Sequence, residues 1–398
     1  MTENLFSHET YAATRRPLAH ASPLPGWCYY SPEWYARELE TIFRGPHSEW
    51  LCVGRVDQVR NAGDFYTIPL LGQPLIVVRD SAGVVNVLSA VCRHRGAVIT
   101  EGEGRCRQLV CPYHNWTYSL DGELIATPGL PPPMDASEGF SKNDYRLGTL
   151  RTEFWAGFIF VTFNPAPKPL MQSLGTLPAF LRNYRLEQMQ FTHRDIYEVE
   201  CNWKVWLENA FENYHVPTIH RKHIDPAKPQ NWTFEATDGA WEAMYSQRSI
   251  VAYSGLPPLE NLSEKEAGGL YHIWIKPSLQ IVLTSSSMKY RQYLPEGPEK
   301  LRLIENWTFP RTTVARPDFA DTVGAAYYHK YSEIIREDLR ISPNVQRGMR
   351  SGAYKPGRYS LEEFVVHRIA NYVIDRVIGP DDAARAPLKA VQNSRATH

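Results

Sequence analysis

The sequence lacks several features that would mark a membrane, secreted or nucleic-acid-binding protein. It has no run of about 18 apolar residues, so we predict no transmembrane helix. No apolar stretch follows the first arginines, which argues against a secretory signal peptide. Its 43 basic residues balance 43 acidic residues, whereas a nucleic-acid-binding protein would need a basic excess. The sequence therefore predicts a cytoplasmic globular protein.

Cysteine is also scarce, with six residues in 398. That number is too small for a fold held together by disulfides, so we expect reduced thiols or metal ligands. Three of the six, Cys92, Cys106 and Cys111, fall in one short stretch that also contains His94 and His114. This clustering is the first indication of function.

Strand and turn signals divide the chain into two main units. Residues 46–164 contain short β-branched runs separated by glycine turns, and Asp121-Gly122 predicts a hairpin. We interpret this unit as an all-β domain. Residues 1–45 are predicted to form a helical segment that packs on the second unit, with a helix starting at Ser31-Pro32-Glu33.

The second unit, residues 165–380, combines one antiparallel sheet with helices. A helix-periodic segment spans residues 203–214, and four strand-like runs occupy residues 270–309. A capping box at residues 360–363 predicts a last helix that ends near Gly379, followed by a frayed tail at 381–398. The predicted fold class is α+β.

Two mixed pairs of metal-ligand residues occur in the β domain. Cys92-x-His94 and Cys111-x-x-His114 each follow a strand-like run, which suits two facing loops. A structural zinc site is one interpretation, but zinc fingers usually pair Cys with Cys and His with His. A Rieske-type [2Fe–2S] cluster needs two Cys on one iron and two His on the other. We therefore predict that Cys92 and Cys111 bind one iron and His94 and His114 the other, with Cys106 as a less favoured ligand.

A second group of metal-ligand residues lies in the helix–sheet unit. Glu208, Glu212 and His215 are spaced four and three residues apart, which places them on one face of the predicted helix. Pro217 is expected to disrupt that helix before His220. Two histidines with one carboxylate form the facial arrangement of non-heme Fe(II) oxygenases.

The carboxylate ligand is not fixed by spacing alone. Asp338, on a predicted C-terminal helix, is our choice, and Asp225 and Glu337 are rivals. His223 is likewise a rival to His220 as a histidine ligand.

At these residues the sequence resembles the terminal oxygenase α subunits of the Rieske non-heme iron oxygenases, over about residues 50–378. The similar motifs are Cys92-x-His94…Cys111-Pro-Tyr-His114 and Asn202-Trp-Lys…Glu212-x-Tyr-His215-x₄-His220. The resemblance implies a [2Fe–2S] cluster and a mononuclear Fe(II). It also favours Asp338 as the third iron ligand, because that residue lies in a similar context.

The resemblance further implies an assembly and an activity. Family members are typically homotrimers, in which an acidic residue at the position of Glu212 bridges the cluster of one subunit and the iron of its neighbour. A reductase or ferredoxin supplies electrons, and O₂ is used to hydroxylate or oxidatively demethylate a substituted aromatic or quaternary ammonium compound. The alternatives are a cis-dihydroxylating dioxygenase and, more remotely, an electron carrier without oxygenase activity.

The sequence does not identify the substrate-binding residues. Its 11 Trp and 22 Tyr residues would supply an aromatic cage for a cation, or serve as ordinary core and interface residues. Sheet residues such as Trp274, Ile281 and Leu283 are expected to line the cavity.

Overall fold

The computed structural model describes residues 4–129, 138–223, 232–235, 237–247 and 256–380, and they form an α+β protein. An all-β region precedes a region in which helices cover one antiparallel sheet, which confirms the predicted fold class. Within the described residues no helix is both long and apolar enough to cross a bilayer. The predicted tail at 381–398 lies outside these residues, and the domain boundaries stay predictions.

The N-terminal segment packs on helices from the second half of the chain. Helix α1 (Pro32–Glu38) starts as predicted, and the Trp34 amide donates to Oγ of Ser31 over 3.2 Å. Glu38 is fully buried and forms a 2.5 Å ion pair with Lys204. The indole N–H of Trp203 donates to the same carboxylate over 2.9 Å. Because a buried charge is costly unless it is paired, this contact fixes the segment in place.

Short strands build the β region, as the alternating apolar runs predicted. In the described part of the chain they form three sheets, with strand orders β1-β10-β9, β4-β3-β2-β5 and β6-β7-β8. The strands are β1 (Leu51–Arg55), β2 (Asp64–Leu70), β3 (Gln73–Arg79), β4 (Val85–Ser89), β5 (Glu103–Arg105), β6 (Leu109–Val110), β7 (Thr117–Tyr118), β8 (Leu124–Ala126), β9 (Arg151–Trp155) and β10 (Phe158–Thr162). The predicted hairpin at Asp121-Gly122 joins β7 and β8.

The second region is organised around one antiparallel sheet. Its order in the described residues is β11-β17-β16-β15-β14-β13-β12. The strands are β11 (Met189–Val199), β12 (Trp232–Phe234), β13 (Trp241–Ser246), β14 (Leu270–Ile275), β15 (Leu279–Leu283), β16 (Met288–Gly297) and β17 (Lys300–Pro310). All four strand-like runs predicted in residues 270–309 are therefore strands.

Helices cover this sheet on both faces. The helices are α2 (Leu170–Leu174), α3 (Leu177–Phe180), α4 (Trp203–Ala210), α5 (Val216–Ile219), α6 (Glu264–Ala267), α7 (Arg311–Val314), α8 (Phe319–Val323), α9 (Lys330–Met349) and α10 (Phe364–Val377). Ile273, Ile281 and Tyr290 belong to the same core cluster as Leu174 and Leu177 of α2 and α3. The residues that alternate with them face the other way, because side chains in a strand point to opposite faces in turn.

Helix α4 is shorter than predicted. It ends at Ala210, so the expectation that Glu208, Glu212 and His215 share one helical face is wrong. Pro217 does not simply break the helix. It occupies the first turn of α5, where a missing amide costs little, and His215 is the N-cap of that helix. The chain between α4 and α5 therefore turns, and this turn separates Glu208 from the other two residues.

Candidate metal centres

The four Cys/His residues of the β domain lie on two turns with the same backbone hydrogen bonds. In the first turn (Cys92–Ala97) the amide of the first residue donates to the carbonyl of the last over 2.9 Å, and the fifth amide donates to the first carbonyl over 3.0 Å. The second turn (Cys111–Trp116) repeats both bonds over the same distances. The fifth residues, Gly96 and Asn115, have φ angles of +77° and +55°, which glycine and asparagine adopt most readily. The two pairs therefore lie on similar turns, where the sequence predicted two loops at the ends of strand-like runs.

The turns bring the two histidines together. The rings of His94 and His114 are 4.7 Å apart between centroids, and Trp116 stacks on His94 at 4.9 Å. Within the described chain, Nδ1 of each histidine is buried and has no hydrogen-bond partner. Because a buried ring nitrogen without a partner is unfavourable, these two atoms fit metal ligation. The charge of His114 adds to burial in lowering the pKa of His94.

The two cysteines form a separate buried pair. Cys92 and Cys111 are 3% and 1% exposed. Burial raises the pKa of the Cys92 thiol, a hydrogen bond with Tyr118 opposes the rise, and the adjacent Cys111 adds to it. The Tyr118 hydroxyl lies 3.3 Å from Sγ of Cys92 and accepts from the Arg93 amide over 3.0 Å. Sequence reasoning missed this tyrosine, which is a hydrogen-bonding partner for the sulfur of Cys92.

The separation of the two pairs favours a binuclear cluster over zinc. Around one tetrahedral ion, the four ligand atoms would lie within about 4 Å of one another. Among the described residues, His215, His220 and Asp338 are the only group of three or more His, Cys, Asp or Glu ligand atoms within 4.8 Å of one another. The Cys pair and the His pair therefore do not converge on one point. That arrangement fits a [2Fe–2S] cluster, which places one pair on each iron.

His215, His220 and Asp338 converge in the structure. Nε2 of His215 lies 3.2 Å from Nε2 of His220, and Oδ1 of Asp338 lies 3.8 Å from the His215 atom and 3.2 Å from the His220 atom. A metal with bonds of about 2.1 Å holds neighbouring octahedral ligands roughly 3 Å apart. Oδ1 of Asp338 is buried without a hydrogen-bond partner among the described residues. The three side chains therefore fit one face of a metal ion and leave the other positions open.

Two carboxylates contact the Nδ1 atoms of His215 and His220, on the side of each ring opposite Nε2. Glu212 bonds to Nδ1 of His215 and accepts from the His215 amide over 3.1 Å. Oε2 of Glu337 lies 2.9 Å from Nδ1 of His220. Carboxylates in these positions fix ring orientation and increase the basicity of metal-ligating histidines. Burial opposes protonation of His220, but Asp338 and Glu337 outweigh it and raise its pKa.

The rival ligands are placed differently. Glu337 faces Nδ1 of His220, so it supports the histidine rather than sharing the ligand position of Asp338. His223 is drawn to the same carboxylate, with its Nε2 3.7 Å from Oε1 of Glu337. Asp225 lies outside the described residues. Cys106 bonds through its backbone amide to Gly63 and is absent from the converging group.

A cavity of about 110 Å³ adjoins the three converging side chains. Most of its wall surface is apolar, and Trp206, Trp232, Val282 and Tyr331 contribute to it. The expectation that Ile281 and Leu283 line this cavity is wrong. Both point to the opposite face of the sheet, because Val282 between them faces the cavity.

Trp274, also expected at the cavity, packs in the core instead. Its ring lies 5.3 Å from that of Tyr372, and it is fully buried in the largest core cluster. Its neighbour on the same face, His272, lines the cavity. Face assignment alone therefore does not predict which residues reach the cavity, since the position of the covering helices also matters.

Three charged residues at the cavity were missed by sequence reasoning. Lys289 and Arg291 line it, and the fully buried Glu305 pairs with both, at 3.0 Å and 2.7 Å. The signal was present in the sequence, because charged residues at alternate positions of strand-like runs must share a sheet face. A buried charge of this kind marks a candidate functional site.

Glu208 faces away from the metal residues and gives a prediction about stability. The Tyr29 hydroxyl donates to its carboxylate over 2.8 Å, and burial raises the pKa of Glu208 to about 8 despite this bond. Because the folded pKa lies above the ordinary value of 4.5, this group favours folding at low pH and loses that contribution as pH rises to about 8.

We therefore expect Glu208→Gln to melt higher than the parent protein, with a gap that widens between pH 5 and pH 8. A widening of roughly 2–4 °C corresponds to about 1 kcal/mol for a domain of this size. Thermal unfolding followed by circular dichroism at several pH values measures the gap. A constant gap would show that Glu208 does not titrate in this range.

Comparisons with known proteins match both parts of the chain. Residues 49–146 match the Rieske [2Fe-2S] domain, and residues 186–379 match the catalytic domain of the ring hydroxylating alpha subunit. The chloroplastic choline monooxygenase of Arabidopsis thaliana is 28% identical over 88% of this chain and 82% of its own length. The glycine betaine monooxygenase oxygenase subunit of Chromohalobacter salexigens is 26% identical over 94% and 89%.

Solved structures show the same fold. The quaternary ammonium Rieske monooxygenase CntA in complex with L-carnitine has a TM-score of 0.74 at 23% identity, over 89% of this chain and 96% of that chain. Naphthalene 1,2-dioxygenase from a Rhodococcus species has a TM-score of 0.76 at 20% identity, over 95% and 100%. The match to a catalytic domain argues against the alternative of an electron carrier without oxygenase activity, because a carrier would not need that domain. The chain belongs to the Rieske non-heme iron oxygenases and is a terminal oxygenase subunit of the α type, with a [2Fe–2S] cluster and a mononuclear iron as cofactors.

Proposed function

We propose that this oxygenase hydroxylates or oxidatively demethylates a small organic substrate. The observation that supports this most directly is the convergence of His215, His220 and Asp338 beside a cavity of about 110 Å³. In such a reaction one oxygen atom of O₂ enters a C–H bond and the other leaves as water. Two electrons and two protons from outside the substrate complete the balance, and we assign their supply to a reductase or ferredoxin.

We assign the cluster ligands to the two Cys/His turns and the mononuclear-iron ligands to the converging group. Cys92 and Cys111 would hold one iron of the cluster and His94 and His114 the other, and the converging triad would hold the mononuclear iron. When bound, the cluster supplies one-electron transfer and the mononuclear iron supplies O₂ activation. The protein itself contributes fixed ring orientation, a largely apolar cavity that limits water, and open positions on the cavity side.

Glu212 is proposed as the bridge between centres of neighbouring protomers in a homotrimer. In the described chain its carboxylate bonds to His215, and no hydrogen bond links it to the two Cys/His turns. A second partner would therefore come from another copy. Inter-subunit electron transfer is described for the solved structure of a quaternary ammonium Rieske monooxygenase, and this supports the arrangement.

The reaction type is proposed from the relatives. The curated relatives named above are monooxygenases of choline and glycine betaine, and CntA was solved with L-carnitine. These relatives support monooxygenation or demethylation. Cis-dihydroxylation is the second candidate, since naphthalene 1,2-dioxygenase shares the fold.

Metal and sulfide analysis of purified protein tests the proposal. An oxygenase is expected to contain about three irons and two acid-labile sulfides per chain, because a mononuclear site adds one iron to the [2Fe–2S] cluster. Product analysis with a surrogate reductase then separates a monohydroxylated or demethylated product from a cis-diol. Two irons per chain with no product from any substrate would contradict the proposal.

A further inference from the structure

We infer that the substrate carries a carboxylate, or an anionic oxygen group of equivalent chemistry, which Lys289 and Arg291 bind inside the cavity. The inference rests on the proposed function, because it assigns the substrate class of the same cavity. The carboxylate can belong to an aromatic acid or to a betaine, and the experiment below distinguishes the two sources.

The charge balance of the cavity wall supports an anionic ligand. Nζ of Lys289 and Nε of Arg291 both contact one oxygen, Oε1 of Glu305, at 3.0 Å and 2.7 Å. The side chains are 7%, 11% and 1% exposed, so two cations and one anion lie away from water. These three side chains carry one net positive charge. The nearby Asp338 also acts on both cations, but its carboxylate would be occupied as a metal ligand. Because buried charges are found paired, a ligand carboxylate is the group that the cluster lacks.

The two cations are aimed at the cavity by the pleat of strand β16. Lys289 and Arg291 are two residues apart, so both side chains lie on the cavity face. The Lys289 ammonium also lies 4.3 Å from the ring centroid of Tyr331, another cavity residue. Burial, with the nearby Arg291, lowers the pKa of Lys289 to about 8, and Glu305 opposes this. An added anion would stabilise the protonated lysine.

A neutral donor adds to the two cations. Trp206 lines the cavity, is 1% exposed, and its indole N–H is buried without an acceptor among the described residues. Burial and the two cations also lower the pKa of His272 to about 3, so this cavity residue stays neutral. The cavity wall therefore offers two cationic donors and one neutral donor to a ligand. A cation without a carboxylate, such as choline, would meet Lys289 and Arg291 with like charge.

The test compares matched ligands on the iron-loaded protein without a reductase. Isothermal calorimetry measures the dissociation constants of benzoate and benzamide, and of glycine betaine and choline. We expect the carboxylate of at least one pair to bind at least about tenfold more tightly than its uncharged or cationic counterpart, as a charge-assisted hydrogen bond would produce. The pair that shows this preference identifies an aromatic acid or a betaine as the source.

Single substitutions test which residues cause the preference for a carboxylate ligand. Lys289→Met should abolish it, and Lys289→Arg should retain it because the charge stays. Lys276→Met is the matched control, since Lys276 also pairs with a buried glutamate, Glu242, at 3.0 Å and lies near two aromatic rings, but is not part of the cavity wall. Arg291→Met removes the second cation and should weaken the preference.

The outcomes separate this inference from the proposed function. Equal binding within both pairs, tighter binding of choline than of glycine betaine with no benzoate preference, or no binding of either carboxylate overturns the inference. So does a preference that survives in Lys289→Met. The iron and sulfide content of the same preparations tests the proposed function independently. If Lys289→Met does not fold, an Arg291→Met protein that keeps the full carboxylate preference overturns the inference.

Discussion

Asp338→Ala is expected to lose the mononuclear iron and nearly all turnover while keeping the [2Fe–2S] cluster. The carboxylate is one of three ligand atoms, and its buried Oδ1 has no hydrogen-bond partner in the described chain. Its removal leaves two histidines, which hold a divalent ion far more weakly. We expect iron to fall from about three to about two per chain, and turnover to fall by more than about a hundredfold, since even residues behind the ligands change activity 10–100-fold.

The measurement combines iron and sulfide analysis with visible absorption of the cluster. Glu333→Ala is a suitable control, because Glu333 lies on the same helix α9 and pairs with Arg336 near the surface. It should keep three irons and full turnover. An Asp338→Ala protein that also keeps three irons and full turnover would remove Asp338 from the metal site.

Glu212→Ala is expected to keep both iron centres but to uncouple them. The carboxylate holds the ring and the amide of His215, so its loss frees the ring without removing a ligand atom. If Glu212 also bridges to a neighbouring protomer, electron delivery fails as well. We expect turnover to fall roughly 10–100-fold with iron and sulfide content unchanged.

Stopped-flow absorbance of the pre-reduced protein, mixed with O₂ and substrate, measures how fast the cluster is reoxidised. The rate should fall with turnover in Glu212→Ala. Glu208→Gln is the matched control, because Glu208 lies four residues earlier and bonds to Tyr29 instead. Full turnover of a Glu212→Ala protein with an intact metal load would refute the bridging role.

Local features were predictable from the sequence. The turns at Cys92–Ala97 and Cys111–Trp116 depend on hydrogen bonds within six residues, and the position of each Cys/His pair after a strand-like run indicated a loop there. The start of α1 at the Ser31 cap and the four strands of residues 270–309 followed from capping and alternation.

Features that depend on distant contacts were predicted less well. Helix α4 was expected to reach Tyr214, since helical spacing continues there, but the chain turns so that His215 can begin α5. The prediction that Trp274, Ile281 and Leu283 line the cavity was also wrong, because the sheet face and the positions that α4 and α9 cover depend on packing. The alternation of Lys289 and Arg291 in one run places both on one sheet face, but their contact with Glu305 depends on the pairing of two neighbouring strands.

The sequence by itself determined the chemistry of this protein: two Cys/His turns for a cluster, two histidines and a set of carboxylates for an iron. Tertiary structure decided which carboxylate completes the triad, since Asp338 reaches His220 from a helix more than a hundred residues away in the chain. It also decided that the neighbouring Glu337 supports His220 from the other ring nitrogen. The physical reason is that spacing constrains residues within a turn or a helix, whereas ligands from separate elements meet only after the sheet and helices pack.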